Sequence, residues 1–144
     1  MAKYIKNALG LPQRIESWNY TASGTDTITY GDIMIIAAAT NGFYAAEATS
    51  TSTSILGFAM ETKSITDATS TIEIDVNPFS IWELETSATA TQNTCYDLTD
   101  ENTVNVGANT YKVVRCIKKD PGAVTTKGWF MPSKHFYGVQ TIEA

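Results

Sequence analysis

The order of apolar and polar residues after residue 25 is typical of short β-strands separated by turns. The clearest strand is 71–76, where three aliphatic residues alternate with Glu73 and Asp75, so the aliphatic side chains are expected to face a core and both carboxylates to face water. The same reasoning predicts further strands at 26–30, 33–39, 43–47, 55–60, 81–86, 95–98, 103–106, 111–118 and 128–131. This spacing predicts an all-β fold, a small sandwich or barrel of about 8–10 short strands.

Two of these runs say more about the fold. Residues 33–39 are continuously apolar and lead to Asn41-Gly42, which predicts a central, buried strand followed by a hairpin with a two-residue turn. Trp82 and Leu84 fall on one face of the strand at 81–86, so both are expected in the core. Helical periodicity is nearly absent, and only 7–11 and 132–137 could form even a single helical turn.

The first 25 residues differ from the rest, because their aromatic and aliphatic residues do not alternate with polar ones. A terminal segment usually frays unless something holds it, and spaced apolar anchors would allow this one to dock on a neighbouring protein. The sequence therefore predicts an extended N-terminal arm at 1–25 and a β-rich domain at 26–144. The residues predicted to make the contact are Tyr4, Leu11, Pro12, Arg14, Ile15, Trp18 and Tyr20. The alternative is a segment that packs back on its own domain.

Composition and charge narrow the class of partner. About one residue in seven is threonine, and β-branched residues favour pleated surfaces. The formal net charge is −5, but residues 16–111 hold thirteen carboxylates and one cation, Lys63, whereas both ends of the chain are basic. These charges could attract copies head to tail, or the ends could neutralise the middle of the same chain. An acidic body without a basic stripe argues against nucleic acid as the partner.

The residue types needed for catalysis are sparse, and we expect no enzyme activity and no cofactor. His135 is the only histidine, and its neighbours Phe136 and Tyr137 suggest a surface or interface aromatic cluster rather than a general base. Glu83 and Glu85 are spaced as the solvent face of a strand, not as a glycosidase pair. The sequence has no nucleophile elbow, phosphate-binding glycine loop or dinucleotide fingerprint.

No metal site is predicted, because the candidate ligands do not have the required spacing. Asp97, Asp100 and Glu101 resemble part of a calcium loop, but its order of ligands is incomplete and a turn capped by Asp and Asn is favoured. Cys95 and Cys116 lack the spacing of a zinc site, so we expect half-buried strand positions, with a disulfide only if the two residues come within reach.

Two further features concern location and ligand class. The start of the sequence lacks the apolar core of a signal peptide, and no apolar run approaches membrane-spanning length, so we expect synthesis in a cytosol and no membrane partner. Trp18, Trp82 and Trp129 could line a sugar-binding face, which leaves a carbohydrate-binding module open as an alternative. We expect structural roles for at least two of the three.

Several stretches, taken together, resemble a known class of viral protein. They are Gly31-Asp32-Ile33 at the start of an apolar strand, Ile55-Leu56-Gly57-Phe58-Ala59, and Tyr96-Asp97-Leu98-Thr99 with Thr103-Val104-Asn105. In their glycine and hydrophobic spacing they resemble the small capsid decoration, or cement, proteins of tailed bacteriophages, over residues 26 to 118. The resemblance implies a β-rich domain, often a homotrimer, on the outer capsid surface of the virion, with an N-terminal arm that reaches across major capsid protein subunits.

These observations lead to one main hypothesis and two alternatives. The main hypothesis is a non-enzymatic decoration protein, assembled on the phage head in the host cytoplasm, that stabilises contacts between major capsid subunits and lies beside neighbouring copies of itself. The alternatives are another virion structural protein, such as a head-fibre base or minor tail protein, and a carbohydrate-binding module.

Overall fold

The computed structural model describes residues 2–20, 26–39, 42–66, 70–119 and 126–137, which form thirteen strands and no helix. The predicted all-β fold is therefore confirmed. Each strand predicted after residue 25 overlaps an observed one, and β1, β2 and β7 are additional. The strands are β1 (Lys3–Asn7), β2 (Ile15–Asn19), β3 (Asp26–Ile28), β4 (Ile33–Ala39), β5 (Gly42–Glu47), β6 (Gly57–Ala59), β7 (Lys63–Ile65), β8 (Thr71–Asp75), β9 (Ser80–Thr86), β10 (Cys95–Leu98), β11 (Thr103–Asn105), β12 (Val114–Lys119) and β13 (Lys127–Pro132).

Five of the strands close into a barrel. They follow the order β9-β11-β10-β12-β13, and β13 returns to β9 through pairs such as Phe130↔Trp82. The pairing of β11 with the end of β9 is parallel, and β1 pairs antiparallel with the beginning of β9. Trp82, Leu84 and Phe130 lie in the barrel core, so the prediction that Trp82 and Leu84 face inward is confirmed.

A second sheet of five strands, in the order β2-β8-β6-β4-β5, packs beside the barrel. It curls until Tyr20, just after β2, bridges Ala45 of β5. Its strand β6 is buried on both faces: the Phe58 ring stacks on Trp82 at 4.8 Å in the barrel core, and Ala59 belongs to a second core. The two cores therefore share β6 as a common wall.

The remaining elements complete the second core. The short β3–β7 ribbon contributes Ile28 and Ile65, both fully buried. As predicted, β4 begins as a buried strand at Ile33 and Met34 and pairs antiparallel with β5. The hairpin turn predicted at Asn41-Gly42 includes residues 40–41, which lie outside the described residues.

The N-terminal segment is part of both sheets. β1 pairs with β9 from Lys3↔Glu83 to Asn7↔Ser80, and β2 pairs with β8 along its whole length. The predicted division at residue 25 is therefore wrong for residues 2–20, and the alternative, a segment packed back on its own domain, describes them. The physical reason is that side chains such as Trp18 find apolar partners within the chain. Residues 21–25 lie outside the described residues.

The prediction that Asp75 faces water is also wrong. Ile72 and Ile74 are buried and Glu73 is exposed, as expected, but Asp75 is fully buried at the end of β8. Four donors compensate its burial. They are Gln13 Nε2 at 3.0 Å, the Arg14 amide at 3.3 Å, the Asn77 amide at 3.1 Å and Ser80 Oγ at 2.7 Å. The carboxyl group thus fixes the start of β2 against the connection between β8 and β9.

Replacing Asp75 by Ala is expected to lower the free energy of unfolding by about 3–5 kcal/mol, because buried donors lose their acceptor. Asp75→Asn should cost less, since the remaining amide oxygen can still accept from the Arg14 and Asn77 amides. Urea unfolding measures both, with the exposed Glu73→Ala on the same strand as the control, expected below about 1 kcal/mol. Equal losses for Asp75→Ala and Glu73→Ala would contradict this account.

Gly57 occupies a position where the backbones of β6 and β8 come too close for any side chain. A Cβ atom there would lie 2.0 Å from the Asp75 carbonyl oxygen and 2.8 Å from Ile74 Cγ2. Gly57→Ala should therefore cost at least about 2 kcal/mol in urea unfolding. Gly107→Ala is the control, because a Cβ atom there comes no closer than 3.4 Å to a neighbouring side chain. A neutral Gly57→Ala variant would mean that the two strands are further apart.

Candidate functional site

Four aromatic side chains form a cluster at the surface, called here the aromatic patch: Trp18, Phe43, Phe136 and Tyr137. Phe43 is 60% exposed, Phe136 39% and Tyr137 43%, whereas Trp18 is half-buried against the second core. β2, β5 and the segment after β13 supply them. Because groups of exposed apolar residues often mark interaction sites, the patch is the candidate functional site.

The rings of the patch support one another in edge-to-face contacts. Phe136 is central: its ring centroid lies 6.1 Å from that of Trp18, 6.1 Å from that of Phe43 and 5.3 Å from that of Tyr137, with interplanar angles between 60° and 88°. Aromatic pairs favour this geometry. The patch is therefore ordered by its own contacts before any partner binds, which reduces the entropy cost of binding.

The Glu16 carboxylate connects three residues at the rim of the patch. The Glu16 carboxylate accepts hydrogen bonds from Tyr137 Oη at 2.7 Å and Trp18 Nε1 at 3.1 Å, and its second oxygen lies 3.0 Å from Arg14 Nη2. Arg14 Cζ also lies 5.5 Å from the Tyr137 ring centroid, in cation–π range. Partial burial opposes ionisation of Glu16, but the hydrogen bonds and the Arg14 charge outweigh it and lower the pKa of Glu16.

The segment after β13 is held in place by main-chain bonds and by His135. The Ile55 amide donates to the Lys134 carbonyl at 2.8 Å, and the Phe136 amide donates to the Ile55 carbonyl at 2.8 Å. His135 is buried, and its Nδ1 accepts from the Tyr137 amide at 3.1 Å. Burial lowers the pKa of His135 to about 4. His135 is therefore neutral at physiological pH, and its ring holds the main chain at Tyr137.

An open cleft lies between the edge strands β2 and β5, next to the patch. It has a volume of about 530 Å³ and is lined by Glu16, Ser17, Trp18, Asn19 and Phe43. The two strands meet at the end of the cleft where Tyr20 bridges Ala45. The cleft is thus lined both by aromatic side chains, Trp18 and Phe43, and by the edge strand β2.

The structure distributes the predicted contact residues over three environments. Arg14 and Trp18 belong to the patch or its rim, and Ile15, Leu11 and Pro12 are exposed close to it in sequence. Tyr4 instead packs edge-on against Trp82 at 5.6 Å. Tyr20 is buried, and its hydroxyl donates to Asp26 Oδ2 at 2.6 Å. Tyr4 and Tyr20 are therefore structural in this chain.

Sequence reasoning missed Phe43 and only partly identified Phe136 and Tyr137. The sequence pattern places Phe43 in a hairpin strand and indicates no further role for it. The aromatic run around His135 signalled a surface or interface cluster, and Phe136 and Tyr137 do lie at the surface although His135 does not. Nothing local in the sequence indicates that Phe43 and Phe136 are neighbours.

The other candidates from the sequence are structural. Trp82 is fully buried, and Trp129 is half-buried with Lys118 Nζ 4.6 Å from its ring centroid. The Asp97 carboxylate accepts from the amides of residues 110–112, and Asp100 accepts from the Asn102 amide, so both are turn caps.

The two cysteines are free and buried. Cys95 pairs with Arg115, the residue before Cys116, so the pleat directs the two thiols to opposite faces of the sheet. A disulfide between them does not fit this register. Burial raises the pKa of the Cys116 thiol to about 11, which keeps it protonated and unreactive.

A second group of polar residues lies where the second sheet meets the barrel. Carboxylate oxygens of Asp32, Glu47 and Glu101 lie within 4.8 Å of one another. Burial, a hydrogen bond with Asp32 and the Glu101 charge raise the pKa of Glu47 to about 9, so Glu47 carries a proton at neutral pH. Asp32 Oδ2 also accepts from the Thr29 amide at 2.9 Å. The Asp32 carboxylate is thus bonded both to protonated Glu47 and to the Thr29 amide.

Comparison with known proteins finds no matching family model, curated protein or solved structure. Within the described ranges, no helix has the length and apolar character needed to cross a membrane.

Replacing Glu47 by Gln is expected to reduce the pH dependence of stability. The folded protein keeps the Glu47 proton up to about pH 9, whereas the unfolded chain loses it near pH 4.5. Between these values the folded state binds the extra proton, so the free energy of unfolding falls as the pH rises from about 4.5 to about 9. Thermal melts across this range should decline less steeply for Glu47→Gln than for wild type or the exposed Glu73→Gln. If the melting temperatures of all three proteins decline equally with pH, Glu47 does not keep an extra proton in the folded state.

Proposed function

We propose that the chain is a non-enzymatic decoration protein of a tailed-phage head. It binds the outer capsid surface and stabilises contacts between major capsid subunits. The observation that carries the proposal is the aromatic patch with Arg14 at its rim, because tryptophan, tyrosine and arginine are enriched at the energetic centres of protein interfaces. The exposed residues Leu11, Pro12 and Ile15 remain in the proposed contact. The resemblance to cement proteins supplies the identity of the partner.

The groups around the cleft favour binding over proton transfer. Within the described part of the chain, Glu16 is the one titratable residue that lines the cleft, and three donors hold its carboxylate. His135 is buried and neutral beneath the patch. A general base needs a free acceptor within reach of a substrate proton. These residues instead present an ordered apolar surface with a neutralised rim.

The organisation of the chain suits a protein that reinforces a shell. Its first described strands are paired within two sheets, so a force applied to this part of the chain is carried by the whole fold. Many copies on one lattice would add avidity to a modest individual contact. Contacts between neighbouring copies, with a homotrimer as the form implied by the resemblance, remain part of the proposal.

Two alternatives use the same surface differently. A head-fibre base or minor tail protein would dock through a similar patch but occupy a single vertex or the tail, which electron microscopy of particles distinguishes. A carbohydrate-binding module is favoured by one observation: the polar residues Glu16, Ser17 and Asn19 line the same open cleft as Trp18. Binding of the isolated protein to a glycan array, lost in Trp18→Ala, would support that function instead.

Phe43→Ser tests the docking surface. Phe43 is largely exposed, so its loss should change the melting temperature by no more than a few degrees. Binding to shells assembled from the major capsid protein of the same genome should weaken about tenfold or more, as for a hot-spot residue. Co-sedimentation measures it. Tyr44→Ser is the matched control, because Tyr44 is the next residue of β5 and points to the opposite face. Equal binding by both variants and wild type would place the contact elsewhere.

A further inference from the structure

The edge of β2 that faces the cleft has main-chain groups at Ile15 and Ser17 that no described strand pairs with. The Tyr20 amide donates to the Ser70 carbonyl, and the Val76 amide donates to the Arg14 carbonyl. Because hydrogen-bonded pairs alternate along an antiparallel ladder, the even-numbered residues of β2 bond to β8. Ile15 and Ser17 therefore direct their amides and carbonyls away from β8, into the cleft.

This edge lacks the devices by which proteins usually prevent strand pairing. The edge strand of the other sheet, β1, has exposed lysines at Lys3 and Lys6 and an irregularity in its pairing between Tyr4 and Lys6. Charges and bulges of this kind block edge-to-edge association. β2 pairs with β8 without interruption, and its exposed side chains are uncharged: Ile15, Ser17 and Asn19. The β1 edge is thus protected against pairing with another strand, whereas the β2 edge is able to accept one.

We propose that β2 accepts an extended strand from the capsid protein, which pairs with Ile15 and Ser17 and places an apolar side chain against the aromatic patch. This inference rests on the proposed function and specifies how the same surface is used. An added strand enters the space that β2 and β5 leave open beyond the Tyr20–Ala45 bridge. Alternate side chains of that strand then project toward Phe43 and Phe136.

The charges at the cleft define the chemistry of the added segment. Glu16 is the one charged residue among the described residues that line the cleft, and Arg14 lies 3.0 Å from its carboxylate and neutralises it. A charged side chain on the incoming strand would therefore lose hydration without gaining a partner. The segment that fits is uncharged at the positions facing the patch. A polypeptide matches the alternating amides and carbonyls of the edge, which the hydroxyl groups of a glycan do not reproduce.

Ser17→Pro removes the central amide from the open edge. This amide does not bond to β8, and proline is tolerated on an edge strand whose N–H faces outward, so the fold should be retained. Ser17→Ala keeps the amide and is the matched control. Ser17→Lys keeps the amide but adds the type of charge that protects β1. Circular dichroism and thermal melting verify that each variant is folded.

The probe is a shell assembled from the major capsid protein encoded in the same genome, and binding is measured by co-sedimentation. Ser17→Pro should bind about tenfold or more weakly than wild type, Ser17→Lys should also be weakened, and Ser17→Ala should stay within about twofold. In the complex, the Ser17 amide should become protected from hydrogen exchange. If wild type binds tightly and folded Ser17→Pro binds equally well, strand addition is wrong, but the proposed function is not affected. Absence of wild-type binding would overturn the proposed function, and glycan binding unaffected by Ser17→Pro would favour a carbohydrate ligand.

Discussion

One buried carboxyl group, that of Asp75, fixes the geometry on which the rest of the structure depends. It accepts from Gln13 and Arg14, which immediately precede β2, and from Asn77 and Ser80, at the connection into β9. It therefore joins the N-terminal segment to the second sheet and to the barrel at one point. Because a shift of one residue turns every side chain to the other face of a strand, this anchor also decides that Trp18 and Glu16 meet Phe136 and Tyr137.

Much of the fold could be predicted because alternation reports directly on a strand with one buried face. The strand at Thr71–Asp75 illustrates both the strength and the limit of this signal. Its aliphatic residues are buried as expected, but Asp75 obeys the polar pattern and is nevertheless buried, because Gln13 and Arg14 from a distant part of the chain cover it. β1 and β2 escaped prediction for a related reason. Their pairing comes from β9 and β8, more than fifty residues away, and not from any strong local pattern.

The candidate site was less predictable than the fold. Trp18 and Arg14 are predicted contact residues of an extended arm, and the structure places both at the patch for a different reason, since Trp18 belongs to β2 of the second sheet and Arg14 immediately precedes that strand. Phe43 joins them only because the Ile55–His135 bridge carries Phe136 across the sheet. The contact between these three distant segments results from the topology of the fold. Neither the composition nor the periodicity of the sequence predicts it.

The order of strand pairing has a consequence for biosynthesis. β1 and β2 are translated before the other described strands, yet Lys3 pairs with Glu83 and Trp18 with Ile72. At about 5–20 residues per second, both strands leave the ribosome several seconds before their partners exist. Phe136 follows later still. The aromatic patch therefore forms only after residue 136 has been translated, long after the strand that carries Trp18.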